Sequence, residues 1–261
     1  MSFSNEHWAP RVKAKMAEVL ADTAFTVPAN DFLSITSPSA VFALAIDHTL
    51  LKPDATSAQI DELCDQAIRY KFKSCCVNGA NVEQVSRRLE GSGSLTCAVI
   101  GFPLGAGTTT AKAFEAKDAV ERGAKEIDMV VNIGALKAGN FALVHSDIKA
   151  VVEAAGTTVK VILETVFLSD EEKIAASFLA AEAGAAFVKT CTGFSGGGAT
   201  AADVLLMRKS VAYNSGVKVK ASAGIRSFDK CLEMFKAGAE RIGTSSGAAI
   251  MESAEVAAGS Y

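Results

Sequence analysis

From Ala43 onward, short apolar or β-branched runs alternate with alanine-rich stretches dotted with charge, and this alternation constrains the fold more than any other feature. The spacing predicts strands at 44–47, 74–77, 96–101, 126–131, 159–164, 186–190, 217–221 and 240–243. Helices are predicted between them, at 57–70, 110–122, 141–155, 170–183, 201–210 and 227–237. Strict strand–helix alternation implies a parallel sheet, because a parallel partner is reached only by a crossover. Eight strands at roughly 30-residue intervals fit a closed (β/α)₈ TIM barrel better than an open doubly wound sheet. Three junctions agree: Gly123, Gly184 and Gly238 each stand just past a helix end, before an alanine and the next strand. A left-handed residue is needed there, and glycine adopts that conformation freely.

Ahead of the repeat, residues 1–40 read as a helical extension, with a helix over 9–20 whose first turn holds Pro10. Val12, Met16, Val19 and Leu20 would share its apolar face, laid against the barrel or against a second copy in a homodimer. A short helix is expected from Pro38. No Pro-, Gly- or Ser-rich linker divides the remainder, so 41–261 is expected to be one catalytic barrel with a mobile C-terminal tail.

The balance of 26 basic and 29 acidic residues gives a formal charge of −3, and only 7% of residues are aromatic. Neither a basic field nor a stacking surface is available for nucleic acid, so an anionic ligand would need a local site. No run approaches the roughly 18 apolar residues of a membrane span. The opening residues lack a signal peptide's apolar run, and Glu6, Glu18 and Asp22 argue against a transit peptide. Six cysteines without ligand spacing (64, 75, 76, 97, 191 and 231) read as reduced core residues of a cytoplasmic protein. The three histidines are too scattered to ligate a metal.

The active site of such a barrel lies at the C-terminal ends of its strands. Lys189 ends the sixth strand after Ala-Ala-Phe-Val, and Lys220 lies level with it on the seventh. A buried lysine has either a partner or a purpose, so a structural ion pair remains an alternative for Lys189. Two ammonium groups in a half-dry cavity repel each other, and both desolvation and repulsion favour loss of one proton. Lowering a lysine from ~10.4 to about 7–8 takes roughly 4 kcal/mol. The free amine then attacks a carbonyl, and the protonated imine serves as an electron sink for breaking the adjacent C–C bond. Asp128, two strands earlier, would share the interior layer and relay protons, unless it is merely a buried partner for lysine. Asp47 suits a structural or substrate-hydroxyl role, and Glu164 another salt bridge. The segments Ser222–Arg226 and Gly243–Gly247, with the glycine-rich run 193–198, are small enough for backbone N–H groups to approach a phosphate.

Five motifs together resemble the deoxyribose-phosphate aldolase family: Ile46-Asp-His-Thr-Leu-Leu-Lys-Pro53, Cys76-Val-Asn78, Glu126-Ile-Asp-Met-Val-Val-Asn-Ile-Gly134, Phe187-Val-Lys-Thr-Cys-Thr-Gly-Phe194 and Val219-Lys-Ala-Ser-Ala-Gly-Ile-Arg226. The similarity runs from about Val41 to the last residue, in the family's motif order. It implies a class I, metal-free lyase without a cofactor that reversibly splits 2-deoxy-D-ribose 5-phosphate into acetaldehyde and glyceraldehyde 3-phosphate. By the resemblance, Lys189 forms the Schiff base, Lys220 lowers its proton affinity, and Asp128 relays protons. Asp47, Thr49, Cys76 and Thr190 would line the substrate pocket, while Gly193, Gly224, Arg226, Gly243, Ser245 and Ser246 would hold phosphate. Tyr261, the last residue, would shuttle the proton at the enamine carbon. The chain departs from the family at Ala223, where a glycine is usual, and in its loosely matched first 40 residues. Rival readings are another barrel Schiff-base lyase, such as a ketose-phosphate aldolase or transaldolase, and a barrel that only binds sugar phosphate.

Overall fold

A computed structural model describes residues 3–252. Eight parallel strands close in sequence order: β1 (Ile46–Leu50), β2 (Ser74–Val77), β3 (Leu95–Ile100), β4 (Glu126–Val130), β5 (Thr158–Ile162), β6 (Phe187–Lys189), β7 (Lys218–Ser222) and β8 (Arg241–Thr244). The β8–β1 seam, with Asp47 opposite Gly243, completes the barrel. Its helices are α1 (Asn5–Ala21), α2 (Ala40–Ala43), α3 (Ser57–Tyr70), α4 (Val82–Arg88), α5 (Thr109–Glu121), α6 (Ile133–Lys137), α7 (Phe141–Ala155), α8 (Asp170–Glu182), α9 (Ala201–Ser210), α10 (Phe228–Lys236) and α11 (Gly247–Met251). None is long and apolar enough to cross a membrane.

Local chemistry explains the boundaries. Thr56 with Gln59, and Ser169 with Glu172, form reciprocal capping boxes that satisfy free backbone N–H groups at the starts of α3 and α8. Gly123, Gly184 and Gly238 have φ of 108°, 91° and 105°, the left-handed geometry expected of them.

The extension helix is longer than its periodicity suggests. α1 starts at Asn5 behind Ser4 and packs on α7, α8 and α9. Trp8, Val12 and Val19 are buried, whereas Leu20 is 48% exposed. Leu20 stands one residue, or 100° around the helix, from Val19, so it falls outside the stripe that Trp8 begins.

The two faces of the barrel wall differ in chemistry. Outward residues such as Val77, Ile127, Met129, Val159, Val188 and Val219 join the helices in one apolar core. Inward positions instead carry buried charge: Asp47, Glu126, Asp128, Lys160, Lys189, Lys220 and Arg241 are all less than a tenth exposed. Leu51, Cys76, Cys97 and Val99, with Phe102 against them, form a small separate apolar wall.

Candidate active site

Lys189 pairs in register with Lys220 on β7, and Lys220 with Arg241 on β8, so three cations lie side by side around the wall. Alternate-face geometry turns them inward together. Asp128 answers from β4. Its Oδ2 accepts from Lys189 Nζ and from Lys220 Nζ, each at 2.8 Å, and its Oδ1 accepts from Lys160 Nζ at 2.9 Å. Lys220 also meets Asp47 Oδ2 at 2.5 Å, and Lys160 meets Glu126 at 2.6 Å. Below them, Arg241 donates to Asp47 at 2.6 Å and to both oxygens of Glu126. Three carboxylates thus face four cations, leaving one formal positive charge in excess.

Burial alone would raise the carboxyl of Asp128, but Lys160, Lys189 and Lys220 outweigh it and hold the group well below the ordinary range. Asp47 is likewise held low, against burial, by Arg241, Lys220 and Lys160. Burial would lower the ammonium of Lys220, yet Asp128 and Asp47 overcome it and hold the group above its usual value. Lys220 is therefore a fixed cation. Lys189 differs from it in having a single carboxylate contact, shared with the other ammonium groups.

The sequence-derived residues fall into distinct places. Lys189, Lys220 and Asp128 converge on one oxygen. Asp47 is fully buried beneath them, accepts from Ser74 and Arg241 and forms an ion pair with Lys220, so it buttresses the cations. Thr49 is 6% exposed and donates to the Asp47 carbonyl. Cys76 lies in the apolar wall. The Thr190 hydroxyl donates to the Ser222 carbonyl and accepts the Ser222 N–H, lacing β6 to β7. Gly224, Arg226, Gly243 and Ser245 line one cleft at the ends of β7 and β8, and Arg226 makes no ion pair among the described residues. Ser246 stands beside it, with its N–H bound to Thr244. Gly193, with φ of 87°, follows β6. Tyr261 lies outside the described residues.

Gly243 also answers to packing, since a Cβ there would lie 2.9 Å from Lys220 Cε. Among the described residues Glu164 makes no salt bridge. It is fully buried, with left-handed backbone (φ 57°), and accepts from Thr192 and Ser195 of the loop after β6. Lys160, Glu126 and Arg241 were not singled out from sequence, although they complete the charge lattice. The sulfur atoms of Cys76 and Cys97 lie with an Asp128 oxygen inside a 4.8 Å cluster of metal-ligand type. The ammonium groups already on both Asp128 oxygens disfavour any added cation there.

Ala223 explains itself in the backbone. It has φ of 77° and is 2% exposed, so its methyl faces protein while its backbone bears the strain. Left-handed geometry costs a non-glycine residue about 1 kcal/mol. Ala223→Gly should accordingly raise stability by about that much in thermal unfolding, without changing phosphate affinity.

A closed eight-stranded barrel with an inward lysine, a cationic neighbour and a shared carboxylate has the constitution of an imine-forming aldolase. The DeoC/LacD family aldolase model matches residues 41–253, and the chain belongs to that family. It is 57% identical over 215 residues to the deoxyribose-phosphate aldolase of Staphylococcus haemolyticus, covering 82% of this chain and 97% of that one. The Streptococcus sanguinis enzyme of that name is 58% identical over 217 residues, with coverages of 83% and 97%. Among solved structures, the tetrameric deoxyribose phosphate aldolase of Aeropyrum pernix superposes with a TM-score of 0.78 at 34% identity, covering 87% and 98%. A Coccidioides immitis structure provisionally given the same name reaches 0.88 at 40% identity, covering 97% and 98%.

Proposed function

We propose that this aldolase reversibly cleaves 2-deoxy-D-ribose 5-phosphate to acetaldehyde and D-glyceraldehyde 3-phosphate through an imine on Lys189. The supporting observation is the shared Asp128 oxygen, which holds Lys189 Nζ at 2.8 Å beside the fixed cation Lys220. The neutral amine adds to C1 of the open-chain sugar, and loss of water leaves a protonated imine. The C3 hydroxyl then gives up its proton as the C2–C3 electrons move into the imine, releasing glyceraldehyde 3-phosphate and an enamine. Protonation at C2 and addition of water return acetaldehyde and the free lysine.

Asp128, held anionic, orients Lys189 and takes protons only in passing, directly or through water. The cleft at Gly224, Arg226 and Ser245 receives the phosphate, where small residues leave backbone N–H groups open to the anion. No step requires a metal or cofactor. A homodimer in the cytoplasm suits the reading; the described cysteines, all free and buried, agree with a reducing compartment. Tyr261 delivers the proton to the enamine carbon.

Incubation with the sugar phosphate, with glyceraldehyde 3-phosphate followed by a coupled dehydrogenase, tests the reaction directly. Turnover is expected without added metal, and none with a ketose bisphosphate in its place; the reverse preference would refute the assignment. Truncation at Ser260 should slow deuterium exchange at C2 of acetaldehyde more than it slows imine formation. Equal effects on both would remove Tyr261 from the mechanism.

A further inference from the structure

The loops after β3 and β6 meet across the barrel mouth although β4 and β5 stand between those strands. Phe102 and Phe194 touch there edge to face, with ring centroids 5.1 Å apart and planes at 84°. Phe102 is partly buried against Leu51, Cys76, Cys97 and Val99, and Cys97 donates to Asp128 at 3.2 Å. The ring thus continues the apolar wall that backs the catalytic carboxylate.

Phe194 arrives on a loop that is held in place. Glu164 accepts from Thr192 N–H at 3.1 Å, from the Thr192 hydroxyl, and from Ser195 Oγ at 3.1 Å, and the Phe194 N–H returns to Thr192 Oγ1 at 3.1 Å. The loop is also seated closely on the turn after β5, because a Cβ on Gly197 would lie 2.6 Å from Val166 Cγ1. A buried carboxylate that takes three hydrogen bonds from one loop indicates that the loop's position matters.

Given the imine on Lys189 proposed above, the substrate's direction follows from the two ends of the mouth. Its phosphate belongs at the β7–β8 cleft, and C1 is fixed at Lys189 on β6. The C1–C2 fragment is then the part left to face the apolar wall on the β1–β3 side. We propose that the Phe102–Phe194 pair is a specificity determinant: an aromatic stop that limits the donor to two carbons. A donor with an added methyl at C2, such as propanal, would have to displace a ring from that contact. Hydrophobic pockets discriminate one methylene by about 10–200-fold, the range such a stop can supply.

The test compares acetaldehyde and propanal as donors to glyceraldehyde 3-phosphate, measuring kcat/KM for each in the intact chain, in Phe194→Ala and in Phe102→Leu. Phe194 is 43% exposed, so its truncation leaves the fold intact. The propanal-to-acetaldehyde ratio should rise at least tenfold in Phe194→Ala and in the same direction in Phe102→Leu. Acetaldehyde turnover should fall less than propanal selectivity changes, because the smaller donor does not press on the rings. Unchanged ratios with acetaldehyde turnover retained would overturn the stop while leaving the aldolase reading intact. A parent chain that condenses neither aldehyde would instead defeat the aldolase reading, and the stop with it.

Discussion

Asp128→Asn should lower kcat/KM by about 10²–10⁴-fold, the contribution typical of a positioned proton-transfer group. Asparagine keeps the shape but not the charge. Lys160, Lys189 and Lys220 all lean on this carboxylate at 2.8–2.9 Å inside a dry interior. Losing one partner of a buried charge network typically costs about 3–5 kcal/mol, so stability should fall along with activity. The two losses separate by measurement: steady-state kinetics below the unfolding range report catalysis, and thermal unfolding reports the lattice. A variant within tenfold of the parent in kcat/KM would show that Asp128 serves packing alone.

The second large effect is electrostatic and is read from pH dependence. Lys220→Met should lower kcat/KM about a hundredfold near neutral pH, with activity recovering as the pH is raised. Lys189 and Lys220 donate to the same Asp128 oxygen, each at 2.8 Å, so their nitrogens are separated by no more than twice that distance. At that distance and an effective dielectric near 20, their repulsion is about 3 kcal/mol. That corresponds to roughly a hundredfold in rate. The sign follows from the charge: removing a cation makes it easier for its neighbour to remain one, so the amine needs more alkali to become nucleophilic. Lys220→Arg keeps the charge, although Gly243 shows how little room surrounds that side chain. An unshifted pH profile in Lys220→Met would remove the cation from the account.

The barrel was legible because its strands are short apolar runs and its turns need glycine. Lys189 and Lys220 stood out because each interrupts such a run near its C-terminal end. Lys160 and Arg241 did not, for a physical reason. Parallel strands are buried on both faces, so their sequences lack the polar–apolar alternation that would reveal which residues point inward. Lys160 lies between Val159 and Val161, both packed in the outer core, and Arg241 opens β8; each sits a layer below the mouth. For Asp47, its place near a predicted strand end leaves a structural and a substrate-hydroxyl role open; β1 runs on to Leu50 and leaves Asp47 under the lysines, which favours the structural one. Glu164 carried no sign in sequence that its partners would be loop hydroxyl and N–H groups. The Phe102–Phe194 contact joins loops 92 residues apart and is visible only once the barrel closes.

Borohydride reduction in the presence of acetaldehyde, followed by peptide mass mapping, tests the central chemistry most directly. A stable two-carbon adduct is expected on Lys189, absent from Lys189→Leu. An adduct on Lys160 or Lys220 in the intact chain, or none on any lysine while turnover proceeds, would contradict it.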